Sequence, residues 1–184
     1  MKPDVDNAFS WGTMSNPFLN DLATYLKGKR VLETFAGNGL LAHHLQKRGI
    51  DIHPTSLLTG HDGHERGMFC EVEKLDARQA ALKYRDSFDI MLMCWPPPEE
   101  SAMQTAILWG EERPFVFIGE VTNLEIGHYG GCASDLFFEL SKETQLFESY
   151  DSDRSGIDRA AVRELVPGAA DQYLARYKPP TFRL

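Results

Sequence analysis

The stretch Arg30-Val-Leu-Glu33-Thr-Phe-Ala-Gly37-Asn-Gly39-Leu-Leu-Ala-His-His-Leu45 constrains this chain more than any other. Val31 and Leu32 read as a short buried strand ending on Glu33. Gly37 and Gly39 make a turn, and Leu40, Leu41 and Leu45 then recur on one helical face. A strand that runs through a glycine turn into a helix is the start of an α/β unit. It lets a ligand lie against bare backbone where the first N–H groups of the helix have no partner. Glycine suits the turn because it lacks Cβ and adopts left-handed dihedrals without strain. Glu33 narrows the ligand: a carboxylate beside the turn suits a positive amino group and repels a pyrophosphate.

The rest of the chain continues the alternation. Residues 1–12 are an irregular lead-in. A helix follows from Asn16-Pro17, with Asn16 as its cap, an apolar face of Phe18, Leu19, Leu22, Tyr25 and Leu26, and a stop at Gly28. After the helix at 39–48, residues 50–57 form a weaker strand, since Pro54 tells against a central position. Residues 59–68 form a polar loop, Val72 to Leu75 a short strand ending at Asp76, and 77–85 a helix. Phe88 to Cys94 is a buried strand running into Trp95-Pro-Pro-Pro98, followed by a helix from Glu99 to Trp109 and a strand at 114–118. A Gly-rich loop leads to a helix at about 133–142. Thr144 to Tyr150 and Gln172 to Tyr177 read as two final strands with a short helix between them. Apolar strands alternating with helices point to a mainly parallel sheet covered on both faces. The last two strands suit an antiparallel hairpin.

The chain of 184 residues is expected to form one domain, with a lead-in and helix at 1–28 and the core at 29–184. A net charge of −8 argues against broad binding to duplex nucleic acid, while single-stranded or base substrates stay open. Three widely spaced cysteines (Cys70, Cys94, Cys132) read as reduced thiols rather than a disulfide framework. With no apolar run long enough to span a bilayer and no signal-peptide h-region after Met1, the expectation is a cytoplasmic protein without membrane contact.

Glu33-Thr-Phe-Ala-Gly37-Asn-Gly39 and the order of elements resemble the class I S-adenosylmethionine-dependent methyltransferases. The resemblance covers nearly the whole chain. It implies a Rossmann-like three-layer αβα sandwich whose mainly parallel seven-stranded sheet has an antiparallel last strand, and S-adenosyl-L-methionine as cofactor. Phe35, Ala36, Gly37 and Gly39 would form the turn against the cofactor's amino-acid end, with Glu33 binding its amino group directly or through water. Asp76 and Ala77 match the position that meets the adenine. Cys94, Trp95, Pro96 and Pro97 lie where the methyl group would be presented, a rim beyond the carboxyl ends of the strands. Two positions depart from the family pattern. The ribose-binding acid is replaced by Pro54-Thr55-Ser56, leaving Ser56 or Asp62 to serve. Trp95 stands where amino-methyltransferases carry a polar residue, and indole offers no acceptor. Stacking of a flat substrate on Trp95 remains open.

Other readings compete. Gly37, Gly39 and Ala42 satisfy the nicotinamide-dinucleotide pattern, but the acid that pattern needs about 20 residues on is absent. His61, His64, Glu65 and Cys70 lack the spacing of a metal site, and none is expected. His43 and His44 fall on the helix after the turn, one toward the sheet and one outward. Glu120 at the end of the fifth strand, and His128-Tyr129 in the next loop, are better placed for chemistry, with His128 a candidate base. The acidic run at 147–158 reads as a solvated loop. The sequence therefore points to methyl transfer onto a small molecule or protein, contacted by residues 1–20, 96–102 and 120–132, with a homodimer possible. A methyltransferase-like binding domain without turnover is the alternative.

Overall fold

The computed structural model describes residues 14–59, 67–123, 126–152 and 157–177. Helix α1 (Asn16–Leu26) opens at Ser15, whose Oγ accepts from the Phe18 N–H at 3.4 Å. Asn16 is thus the first helical residue and not the cap, and its side-chain oxygen accepts from Arg48 instead, at 2.8 Å. Strand β1 (Arg30–Thr34) passes through the glycine turn into α2 (Leu40–Gln46), and β2 (Asp51–Ser56) lies parallel to β1. The two-residue β3 (Glu73–Lys74) leads to α3 (Ala77–Tyr84), and β4 (Ile90–Cys94) to α4 (Ser101–Trp109). Strand β5 (Phe115–Glu120) precedes α5 (Asp135–Glu139), β6 (Ser141–Leu146), β7 (Asp158–Leu165) and α6 (Ala169–Arg176).

The seven strands form one sheet in the order β3-β2-β1-β4-β5-β7-β6. The first five run parallel, while β7 pairs antiparallel with both β5 and β6. This is the seven-stranded Rossmann-like sandwich with an antiparallel last strand that the sequence implies. Pro54 is accommodated because β3 pairs only with Thr55 and Ser56, one residue beyond it. Glu73 pins that short edge strand: its carboxylate lies 2.7 Å from His53 Nε2 and accepts from Lys83 Nζ and Tyr84 Oη at 2.9 and 2.8 Å.

Alternation along the strands divides the core into two layers. Val31, Ile90, Leu92, Val116 and Ile118 face α1 and α2, where Phe18 meets Tyr150 edge-on at 4.9 Å. Leu32, Met91, Met93, Phe115 and Phe117 face α3, α4 and α5, with Phe117 tilted against Phe137 at 5.3 Å and edge-on to Phe138 at 5.6 Å.

The last third corrects the sequence reading. Asp158-Arg-Ala-Ala-Val-Arg-Glu-Leu165 holds helix formers yet is β7, and Gln172 to Tyr177, rich in tyrosine, lies in and just after helix α6 and not a strand. Burial overrides propensity here. Ala160, Ala161 and Val162 are at most 4% exposed between two strands. Gly168, left-handed, starts α6, and Tyr173 then stacks on Tyr177 one turn away at 5.0 Å. Strand β6 begins at Ser141, three residues before the expected start, because buried Arg163 on β7 donates to Ser141 O and Oγ at 3.0 Å and to Glu143 at 3.1 Å. Helix α5 is correspondingly shorter than the 133–142 expected. Within the acidic run, Asp158 is not solvated. It is 2% exposed and accepts hydrogen bonds from Tyr150 Oη, at 3.1 Å, and Ser152 Oγ.

Phe117→Ala removes a fully buried ring from the second layer and should cost about 3–5 kcal/mol, whereas Leu174→Ala on the outer side of α6 should stay within about 0.5 kcal/mol. Urea unfolding of the two variants checks this, and equal losses would contradict the helical placement of 174.

Candidate functional site

The carboxyl ends of β1 to β5 open into a cleft of about 630 Å³, within the range of about 300–1,000 Å³ typical of ligand sites. Phe35, Ala36, Gly37 and Asn38 from the β1 turn line one end, with Ser56 after β2 and Asp76, Ala77 and Arg78 at the start of α3. Cys94, Trp95, Pro96, Pro97, Glu99 and Ser101 line the middle and far wall, where Glu120, Gly131 and Cys132 close it. Ten of the thirteen residues expected from the sequence for catalysis or cofactor binding, Cys94 among them, therefore come together on one surface.

The backbone around this cleft is held in uncommon conformations. Phe35 (φ 60°), Leu58 (φ 53°), Trp95 (φ 52°) and Ala133 (φ 53°) are all left-handed without being glycine. Each costs on the order of 1–3 kcal/mol, and such residues gather where a site over-determines its backbone. Trp95 is locked there by its N–H, which donates to Ile118 O at 2.7 Å. The Ala133 N–H in turn donates to Pro97 O at 3.0 Å and Pro96 O at 3.4 Å, tying the proline rim to the loop after β5.

Glu33 occupies the fourth position of central strand β1, paired to Pro54 on one side and Leu92 on the other. It is fully buried beneath the cleft lining, and neither carboxyl oxygen has a hydrogen-bond partner among the described residues. Burial pushes its pKa up to about 8, so it stays mainly protonated at neutral pH. Asn38, 5% exposed and on the cleft wall, likewise has no partner for Nδ2, and Ser101, 7% exposed, none for Oγ. Sequence reasoning singled out neither, although Ser101 falls in the 96–102 segment expected to contact the acceptor. The signal for Asn38 was its place between the two glycines, and for Ser101 its place as the first helical residue after the prolines.

Asp76 caps α3, accepting from the Arg78 and Gln79 N–H groups, and its carboxylate is clamped by the Arg78 guanidinium at 2.9 Å through both oxygens. The bond to Arg78 holds its pKa below the usual carboxylate range. Ser56 Oγ accepts from the Leu58 N–H at 3.4 Å. Burial and the nearby Glu33 raise the thiols of Cys70, to about 11, and Cys94, so both stay protonated and unsuited to act as nucleophiles.

Three expected residues lie elsewhere. Gly39 faces away from the cleft: a Cβ there would stand 2.7 Å from Cys70 Sγ and 2.8 Å from Val72 Cγ2, so its bareness admits the 70–72 segment. Glu33 sits below the lining, as described. His128 is exposed and lines a separate hollow with Asp135, Lys142 and Arg159, so it supplies no base to the cleft. His43 and His44 are both half-buried and line no part of the cleft. Asp62 and the His61, His64 and Glu65 cluster fall outside the described residues. Among the described residues no three His, Cys, Asp or Glu side chains could hold a metal, and no helix is long and apolar enough to cross a membrane.

No protein-family model and no curated protein matches the chain. Among solved structures, one described for the conversion of a disulfide bond into a thioacetal group during echinomycin biosynthesis superposes with a TM-score of 0.49 at 13% identity, covering 87% of this chain and 85% of its own. The CcbJ methyltransferase from Streptomyces caelestis gives 0.48 at 14% (84% and 91% covered). The ribosomal protein L11 methylase from Lactobacillus delbrueckii subsp. bulgaricus gives 0.47 at 13% (81% and 76%). At these values they carry no argument, and the fold stands on the strand order of the chain itself.

Glu33 also sets a pH dependence. An unfolded glutamate titrates near 4.5 and the folded one near 8, so the native state keeps a proton that the unfolded chain gives up. Its contribution is fully present below pH 4.5 and is lost as the pH rises through 8. Glu33→Gln should therefore flatten the decline in stability of the ligand-free protein between pH 5 and pH 8 by a few kcal/mol. Parallel urea-unfolding profiles for the two proteins would refute the assignment.

Proposed function

We propose that this chain is an S-adenosylmethionine-dependent methyltransferase acting on a small molecule or a protein. The observation that carries the reading is the fully buried, unpartnered carboxyl of Glu33 under the Phe35–Asn38 turn. A buried acid without a partner costs stability, and such groups cluster where a site needs them. An amino group brought to the turn would give Glu33 a counter-charge, directly or through water. Nδ2 of Asn38 would donate to the neighbouring carboxylate, Gly37 would let it approach the backbone, Ser56 would face the ribose and Asp76 the adenine. Glu33 speaks against a dinucleotide here, since a pyrophosphate at the turn would leave the acid opposed.

The cofactor supplies an electrophilic methyl group on a sulfonium. Held by Glu33, Asn38, Gly37, Ser56 and Asp76, it would offer that methyl group to a nucleophilic atom of the acceptor, with the acceptor's own proton, where it has one, lost to solvent. The residues of the chain contribute position: the Trp95–Pro98 rim, fixed by Ile118 and Ala133, holds the acceptor in line and limits water. A second reading, binding without turnover, is supported by Trp95 in the polar position and by Ser56 in place of the ribose acid. The three free thiols fit a reducing, cytoplasmic setting. A second copy of the chain could complete the acceptor side.

Calorimetric titration with S-adenosylmethionine and S-adenosylhomocysteine tests this. Both should bind, and Gly37→Asp should abolish binding while leaving the fold intact by circular dichroism, because the added carboxylate fills the turn and repels that of the ligand. No heat and no thermal stabilisation by either compound at millimolar concentration would end the proposal. Binding with no labelled methyl transfer to any fraction of a cell extract would favour the second reading.

A further inference from the structure

The two ends of the cleft differ in charge. Arg78 is the one cationic side chain on its wall among the described residues, and it is committed to Asp76 and to Gln104 Oε1 at 3.0 Å. The end formed by β4 and β5, lined by Trp95 and Glu120, has no cation among its described residues, while Glu99 on the same cleft wall lies within the field of Arg78.

Glu120 is held there by construction. The Gly131 N–H donates to its Oε2 at 2.6 Å, and a Cβ on Gly131 would lie 2.6 Å from that same oxygen. A Cβ on Gly130 would come within 2.8 Å of the backbone carbons of Glu120 and Val121, and the Gly130 N–H instead donates to Thr122 Oγ1 at 3.1 Å. Both glycines are needed for the loop to close on the carboxylate. Oε1 has no partner among the described residues. Independently, the buried Ser101 lines the same wall with an unpartnered Oγ, a polar group without a counterpart in the protein.

We propose that this end of the cleft is the acceptor site and takes a flat, ring-bearing molecule with an alkylammonium group. The ring lies against Trp95, the ammonium reaches Glu120, and Ser101 hydrogen-bonds a polar atom of the ring or side chain. An aromatic face beside a fixed carboxylate is the arrangement that recognises organic cations. An acceptor with a carboxylate or phosphate in place of the ammonium finds no cation at this end and faces the Glu120 carboxylate. The assignment of this end to the acceptor rests on the methyltransferase reading; the preference for a cation does not.

Tryptamine and indole-3-acetate, which share a ring and differ in charge, are titrated calorimetrically into the protein with and without saturating S-adenosylhomocysteine. Tryptamine should bind and indole-3-acetate should not. Glu120→Gln should weaken tryptamine about tenfold or more while the affinity for S-adenosylhomocysteine is unchanged. Equal binding of the two indoles, no heat from tryptamine, or tryptamine binding indifferent to Glu120→Gln would each overturn the proposal. Should the variant not fold, the preference of the wild-type protein between the two indoles decides alone. Tryptamine binding that depends on Glu120 without any S-adenosylhomocysteine binding would sink the methyltransferase reading and leave the cation site standing.

Discussion

The parallel pairing of β1 between β2 and β4 is the constraint on which the molecule turns. It places the end of β1 in the middle of the sheet, so that Glu33 falls on the layer packed by α1 and α2, and the chain must leave through Phe35 to Asn38 into the cleft. The neighbouring strand braces that exit: Thr55 Oγ1 donates to Glu33 O at 3.0 Å, and the Ala36 N–H donates to Thr55 O at 3.0 Å. A carboxyl at this depth is tolerated because it keeps its proton. Its neighbours Cys70 and Cys94 are apolar enough to accept a neutral acid and offer it no base. The protein thus holds a latent charge that a cation at the turn would draw out.

Strain around the cleft has the same logic. Four left-handed residues that are not glycine stand after β1, β2 and β4 and before α5, while the glycines at 130 and 131 are spent on closing a loop over Glu120. A free choice of sequence would reverse this, with glycine at the strained positions and side chains on the loop. The side chains of Phe35 and Trp95 are worth their strain where they line a cavity, and the loop glycines are needed where backbone must touch a carboxylate.

The sequence made the first two-thirds of the fold legible because there local and tertiary preferences agree: Val31-Leu32, Ile90 to Met93 and Phe115 to Ile118 are apolar runs that are also β-formers, each followed by a helix with an apolar face. They disagree in β7 and α6, where packing of Ala160 to Val162 between two strands outweighs the helical propensity of alanine and arginine. Within the site, motif residues on the strand ends reached the cleft. Gly39 and His128 did not, because sequence spacing does not tell which neighbour a bare glycine admits or on which side of a loop an imidazole emerges. Asn38 and Ser101 went unnoticed for a related reason. They stand out only once burial shows their polar atoms without partners.

The rim after β4 carries the last step. In amino-methyltransferases that this segment resembles, a polar side chain and a backbone carbonyl after this strand accept hydrogen bonds from the target amine. Here the side chain is Trp95, without an acceptor, and the carbonyls of Pro96 and Pro97 already receive the Ala133 N–H. The loop therefore takes one lone pair of the rim carbonyls, and it is the loop whose glycines hold Glu120 at the end of β5. The contact from Ala133 to the prolines and the contact from Gly131 to Glu120 belong to one short segment. In the proposed acceptor site a carboxylate one strand over supplies the acceptor that Trp95 lacks, and the indole supplies an aromatic wall. The departure from the motif and the placement of Glu120 are in this sense a single feature, and it supports the proposed preference for an acceptor whose alkylammonium group is held apart from the atom to be methylated.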